Sequence, residues 1–144
     1  MDRRTLLRCA PTVAVLGGLA SADPGKKKRA VLPATAVYEL RVYHVYEGKL
    51  DELLARFRDH TMRLFEKHGI TNIAYWTPTD DPLKGKTLVY ILAHPSRDAA
   101  TANWQAFRDD REWKSVQAKS EANGKLVEKI DSTFLTLTDF SPRL

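Results

Sequence analysis

Apolar and polar residues alternate from Val37 to Tyr46, in a stretch rich in valine and tyrosine, and this period of two predicts a β-strand. Glu47-Gly48 turns the chain. Leu50, Leu53, Leu54, Phe57, Thr61, Leu64 and Phe65 then recur at helical spacing, predicting an amphipathic helix over Lys49–His68 that Gly69 stops. A second strand is expected over Asn72–Thr77, closed by Pro78, and a third over Thr87–His94. The Asp-, Pro- and Gly-rich stretch between them reads as a loop. Ser96 is placed to cap a helix whose first turn carries Asp98 and whose buried stripe should be Ala99, Ala102, Asn103, Ala106 and Phe107. A break is expected near Asp109-Asp110, with either aspartate capping a further helix from about Arg111 to Asn123. A last strand covers Leu126–Asp139. The order β-α-β-β-α-β is the ferredoxin-like plan, an α+β class.

Ahead of this body, residues 1–22 carry the three parts of an export signal. Arg3-Arg4-Thr5-Leu6-Leu7 supplies adjacent arginines followed by leucines, Ala10–Leu19 is a short apolar run, and Ala20-Ser21-Ala22 offers small residues for cleavage at Ala20 and Ala22. About ten apolar residues fall short of the roughly 20 that span a bilayer as a helix, so no permanent membrane anchor is expected. The arginine pair and the mildly apolar core point to twin-arginine export into the periplasm or beyond, with a general secretory signal as the alternative. Residues 23–35, rich in Pro, Gly, Lys and Ala, read as a flexible linker.

The sequence pI of about 9.4 suggests nucleic acid until the charge is located. From Ala30 to Leu144 there are 16 Lys and Arg against 16 Asp and Glu, so the excess lies in the head. A nucleic-acid-binding domain carries its excess in the fold, and that class is set aside. The single cysteine, Cys9, precedes the apolar run, which leaves no thiol for a disulfide or a thiolate metal site after cleavage. No P-loop, G-x-G-x-x-G, H-E-x-x-H or G-x-S-x-G occurs. No cofactor is expected.

Val37-Tyr-Glu-Leu-Arg-Val-Tyr43, Gly48-Lys49-Leu50, the block from Asn103 to Trp113 and the ending Leu137-Thr138-Asp139-Phe140-Ser141-Pro142 together resemble the NIPSNAP family across residues 36–142. The resemblance implies a ferredoxin-like domain whose protomers pair sheet to sheet as a dimeric α/β barrel. Its wider superfamily includes small monooxygenases, isomerases and haem-handling proteins. The family itself implies a fold more than a chemistry.

Candidate chemistry follows from the strand pattern. In the first strand Tyr38, Leu40 and Val42 are suited to the helix side, which puts Glu39, Arg41 and Tyr43 on the opposite face, lining a barrel interior or forming a paired dimer seam. Asp139 ends the last strand as a second partner for Arg41. His60, three residues beyond Phe57, sits at the edge of the predicted stripe as a base or ligand, or as a boundary histidine. His60 and His68 lie about 12 Å apart along a helix, too far to share one ion, and no metal site is expected. Trp76, at a strand end, is a stacking candidate, whereas Trp104 and Trp113 are expected in the core. Leu135 and Leu137 oppose Phe134 in the last strand, so both faces need cover and a homodimer is expected. Three readings result: a protein that binds a small apolar or aromatic molecule, a cofactor-poor monooxygenase- or isomerase-like enzyme, or a structural interaction module.

If residues 1–22 are a twin-arginine signal, replacing Arg3 and Arg4 with lysine should leave folded precursor in the cytoplasm, read by fractionation. Normal cleavage after Ala22 in that variant would show that the general secretory route suffices.

Overall fold

The computed structural model describes residues 31–142; the signal, its alanines Ala20 and Ala22, and most of the linker lie outside the described residues. β1 (Val37–Val45) leads into α1 (Leu50–Arg56), a π-helical turn (Phe57–Thr61) and α2 (Met62–Lys67), which run on as one helix. β2 (Thr71–Trp76) and β3 (Thr87–His94) follow, then α3 (Arg97–Asp109), α4 (Arg111–Ser120) and β4 (Val127–Leu135). The four strands form one sheet in the order β2-β3-β1-β4, every neighbouring pair antiparallel. This is the ferredoxin-like α+β architecture anticipated from the periodicities.

The punctuation of the chain works as its residues suggest. Ser96 Oγ accepts the Ala99 amide at 3.1 Å to start α3, and Asp110 Oδ1 accepts the amides of Glu112 and Trp113 to start α4. Gly69 ends α2 at φ +74°, and a Cβ there would stand 2.9 Å from Asn103 Nδ2, which itself donates to the Gly69 carbonyl. The glycine is thus required twice, for its backbone angle and for the approach of α3.

Leu53, Phe57, Leu64, Phe65, Ile70, Leu88, Tyr90, Leu92 and Phe107 form the core between the sheet and the helices. Within it Phe57 meets Tyr43, Phe65, Tyr75 and Tyr90 edge to face, with ring centroids 5.3–6.1 Å apart. The stripe of α3 differs from the expected one. Ala100 and Phe107 are buried and Trp104 half-buried, whereas Ala102 and Ala106 face water. The helix rotates so that its large aromatics, rather than its alanines, fill the space above the sheet.

The strand register overturns one expectation outright. Leu88, Tyr90 and Leu92 of β3 enter the core, and their partners across the ladder are Tyr43, Arg41 and Glu39. Those three side chains therefore lie beneath the helices, not on the open face. The open face carries Leu40, Val42, Val89 and Ile91, all half-buried, as Leu40–Ile91 and Val42–Val89 pairs. Alternation alone ranks the apolar set as the core set. The polar set wins here because Glu39 and Arg41 pair with each other and with further buried donors and hydroxyls, which removes most of the cost of burial.

Candidate ligand-binding cleft

Glu39 is 1 % exposed, and its carboxylate is the centre of the arrangement. Oε1 accepts from Arg41 Nη1 and from Ser132 Oγ, both at 2.7 Å, and Oε2 accepts from His94 Nε2 and Trp104 Nε1, both at 2.8 Å. These donors come from β1, β4, β3 and α3. An ionised carboxylate only accepts, so His94 carries a hydrogen on Nε2. Its Nδ1 is buried with no partner among the described residues. Burial alone would raise the Glu39 carboxyl. The hydrogen bonds from His94, Ser132, Trp104 and Arg41 outweigh burial and hold it at about 2. With all its lone pairs engaged and its proton so weakly held, Glu39 is an anchor and not a base.

Arg41 is what the anchor positions. Its Nε donates to the Tyr90 hydroxyl at 3.0 Å, and its guanidinium carbon lies 4.4 Å from the centre of the Trp104 ring. Burial works against the charged form, but the Tyr90 and Tyr43 hydroxyls and Glu39 leave Arg41 even more firmly protonated than usual. Tyr90 moves the other way: burial, then the neighbouring Tyr43, push its phenol well above its ordinary value, so it stays neutral. Nη2 of Arg41 has no hydrogen-bond partner among the described residues, and Arg41 lines a cleft of about 460 Å³.

That cleft lies between β1, β4 and the pair α3–α4. Tyr43, Trp104, Phe107, Trp113 and Phe134 supply aromatic wall, and Glu39 and Arg41 form its floor. Arg97, Thr101, Trp104 and Arg108 reach it from one face of α3, at successive spacings of four, three and four residues. The roof is lightly anchored. No residue of α4 is fully buried, and its main contacts are with α1, α3 and the π-helical turn. Asp110 latches its start: Oδ2 accepts from Lys67 at 2.6 Å and from His68 at 2.7 Å. Those two bonds, with the amides of Trp113 and Glu112, hold its carboxyl well below the usual range.

Of the residues singled out in the sequence, Glu39, Arg41 and Tyr43 meet here. The other three lie elsewhere. His60 is exposed, one residue off the buried stripe that runs through Phe57 and Thr61. It borders a separate depression of about 470 Å³ with Arg56, Asp59 and Ser120. Trp76 is 51 % exposed at the end of β2, paired with Val89 of the open face. Asp139 lies beyond the end of β4 and is exposed, so Ser132 stands beside Arg41 on β4 in its place. Trp104 and Trp113, expected in the core, are half-buried, pack on its edge and wall the cleft. His94, Ser132 and Tyr90 are contributors that the sequence did not expose, since each acts through cross-strand register. Arg97, Thr101 and Arg108 were not singled out either, although with Trp104 they fall at helical spacing in the sequence.

Glu39→Gln tests the anchor. It keeps the shape but sets an amide group against donors and leaves Arg41 uncompensated, at a cost of about 3–5 kcal/mol at pH 7. The folded-state value lies below the ordinary 4.5, so the stabilisation from this carboxylate is complete above 4.5 and is lost as pH falls towards 2. It amounts to roughly 3 kcal/mol. Urea titrations at pH 7 and pH 3 should show the gap between parent and variant narrowing in acid.

The comparisons with known proteins agree with this fold. The solved structures most similar to it include a NIPSNAP-like domain protein from Burkholderia xenovorans, 17 % identical, with a TM-score of 0.66 over 78 % of this chain and 93 % of that one. A NIPSNAP family protein from Agrobacterium tumefaciens is 22 % identical, with a TM-score of 0.64 over 74 % of this chain and 97 % of that one. A monooxygenase of Streptomyces coelicolor, solved with nanaomycin D, is 15 % identical, with a TM-score of 0.55 over 78 % of this chain and 96 % of that one. No curated protein matches. The NIPSNAP family profile matches residues 38–142, nearly the whole described body, and the chain belongs to the NIPSNAP family.

Proposed function

We propose that this protein binds a small aromatic or apolar molecule in the cleft between its sheet and α3–α4, as an exported homodimer. The observation that carries the reading is Arg41: a guanidinium held by Glu39 and Tyr90, stacked on Trp104, that lines an aromatic-walled cleft. Ligand sites combine mostly apolar walls with a few fixed polar groups, and the volume falls in their usual range. Export rests on the pattern of residues 1–22.

A catalytic reading, monooxygenase- or isomerase-like, has one specific observation in its favour. Arg41 and Tyr43 line the same cleft, where a guanidinium could polarise a bound oxygen. Glu39, the carboxylate among the lining residues, has no lone pair to spare for proton abstraction. Binding is therefore the primary reading.

The dimer is supported by the open face of the sheet. Leu40, Val42, Val89 and Ile91 form an apolar band there, and Trp76 and Leu135 extend it with 51 % and 38 % exposure. A second copy laid sheet to sheet would cover it.

Two measurements test these assignments. The neutral dye Nile red should gain fluorescence with the protein and lose that gain in Thr101→Trp, which fills the cleft from α3. An unchanged gain in that variant would move the dye, and the reading, away from the cleft. Sedimentation should give a dimer at micromolar concentration, burying on the order of 1,600 Å² in total, and Val42→Asp should shift it to monomer. A monomeric parent would remove the sheet-to-sheet pairing.

A further inference from the structure

The charge of the cleft says more about its occupant than its shape does. Four charged residues line it: Glu39, Arg41, Arg97 and Arg108, a formal excess of two positive charges. The body from Ala30 to Leu144 has zero formal charge, so this excess is local and not a sample of a basic surface. Glu39 contributes no free acceptor, its oxygens being taken by Arg41, Ser132, His94 and Trp104. Arg97 and Arg108 form no ion pair among the described residues, although seven other lysines and arginines there do pair with carboxylates. Arg97 instead lies over the Phe134 ring at 3.5 Å, and Arg108 donates to Gln105 at 3.1 Å.

The placement of these cations is ordered. Arg41 lies on the floor from β1, and Arg97 and Arg108 stand at the two ends of the α3 stripe, with Thr101 and Trp104 between them. An arginine on an aromatic face keeps its in-plane N–H donors free, since the ring occupies only its flat side. Arg97 over Phe134 is of this kind, and Arg41 over Trp104 is partly so, with Nε and Nη1 already given to Tyr90 and Glu39. Such donors match the two oxygens of a carboxylate, and the flanking rings offer flat faces to a planar hydrocarbon.

Building on the reading of this cleft as a small-molecule site, we infer that its ligand is an aromatic carboxylic acid in its ionised form. The ring system lies against Trp104, Trp113 and Tyr43, and the carboxylate is held within the field of Arg41, Arg97 and Arg108. A neutral aromatic of the same shape satisfies the walls and leaves the charge excess unanswered.

The probes are 2-naphthoate and its uncharged counterpart 2-naphthamide, titrated into the full chain while tryptophan emission is followed, since Trp104 and Trp113 both line the cleft. The acid should bind about tenfold more tightly than the amide at low salt. That preference should shrink to about threefold or less in Arg97→Gln/Arg108→Gln and in added salt. Both arginines are exposed, so the double variant folds as the parent does, checked by its melting curve. It also separates the cleft from the basic run Lys26–Arg29, which it leaves intact. Equal binding of acid and amide overturns the inference and leaves the binding reading standing. An acid preference unchanged in the double variant overturns it too, by placing the anion elsewhere. Binding of neither probe, together with a Nile red signal indifferent to Thr101→Trp, overturns the binding reading itself.

Discussion

A carboxylate with no water costs several kcal/mol to bury, and the sheet of this protein is assembled around one. Glu39 is tolerable only while four donors surround it, and those donors belong to β1, β3, β4 and α3. Each must therefore arrive in register before the burial becomes favourable. β4 is an edge strand with little helix above it, and Ser132 gives it a side-chain tie to β1 in addition to the ladder. Trp104 does the same for α3, whose indole reaches down to the sheet instead of packing flat among aliphatics.

The same constraint creates the cleft. A side chain as polar as Arg41 could not lie under the helices without Glu39 beside it and Tyr90 in front of it. Around it, aromatic rings from β1, β4, α3 and α4 line the cleft. The roof is held differently. α4 has no fully buried residue and depends on Asp110, which serves its helix start through one oxygen and α2 through the other. A floor tied by buried hydrogen bonds thus lies under a more lightly attached roof.

Much of the architecture was legible in the chain because it rests on local rules. Periods of two and 3.6, the Ser96 and Asp110 caps and the Gly69 stop depend on residues within a turn of one another, so the element order could be read directly. The residues of β1 that carry chemistry were also evident, since an acid, a base and a phenol on one strand face are conspicuous. Which way that face points was not evident. Alternation defines two faces but does not say which is covered, and the rule that apolar residues face the core gives the wrong answer when the polar set satisfies itself.

What the sequence by itself determined, then, is a ferredoxin-like chain of the NIPSNAP family with its polar residues gathered on β1. The tertiary structure alone decided that Glu39, Arg41 and Tyr43 lie beneath the helices, that His94 and Ser132 join them, and that His60, Trp76 and Asp139 do not. His94 is 55 residues from Glu39 in sequence, and Ser132 is 93 away. Hydrogen bonds at that separation follow from strand register, which leaves no periodic trace in the order of residues.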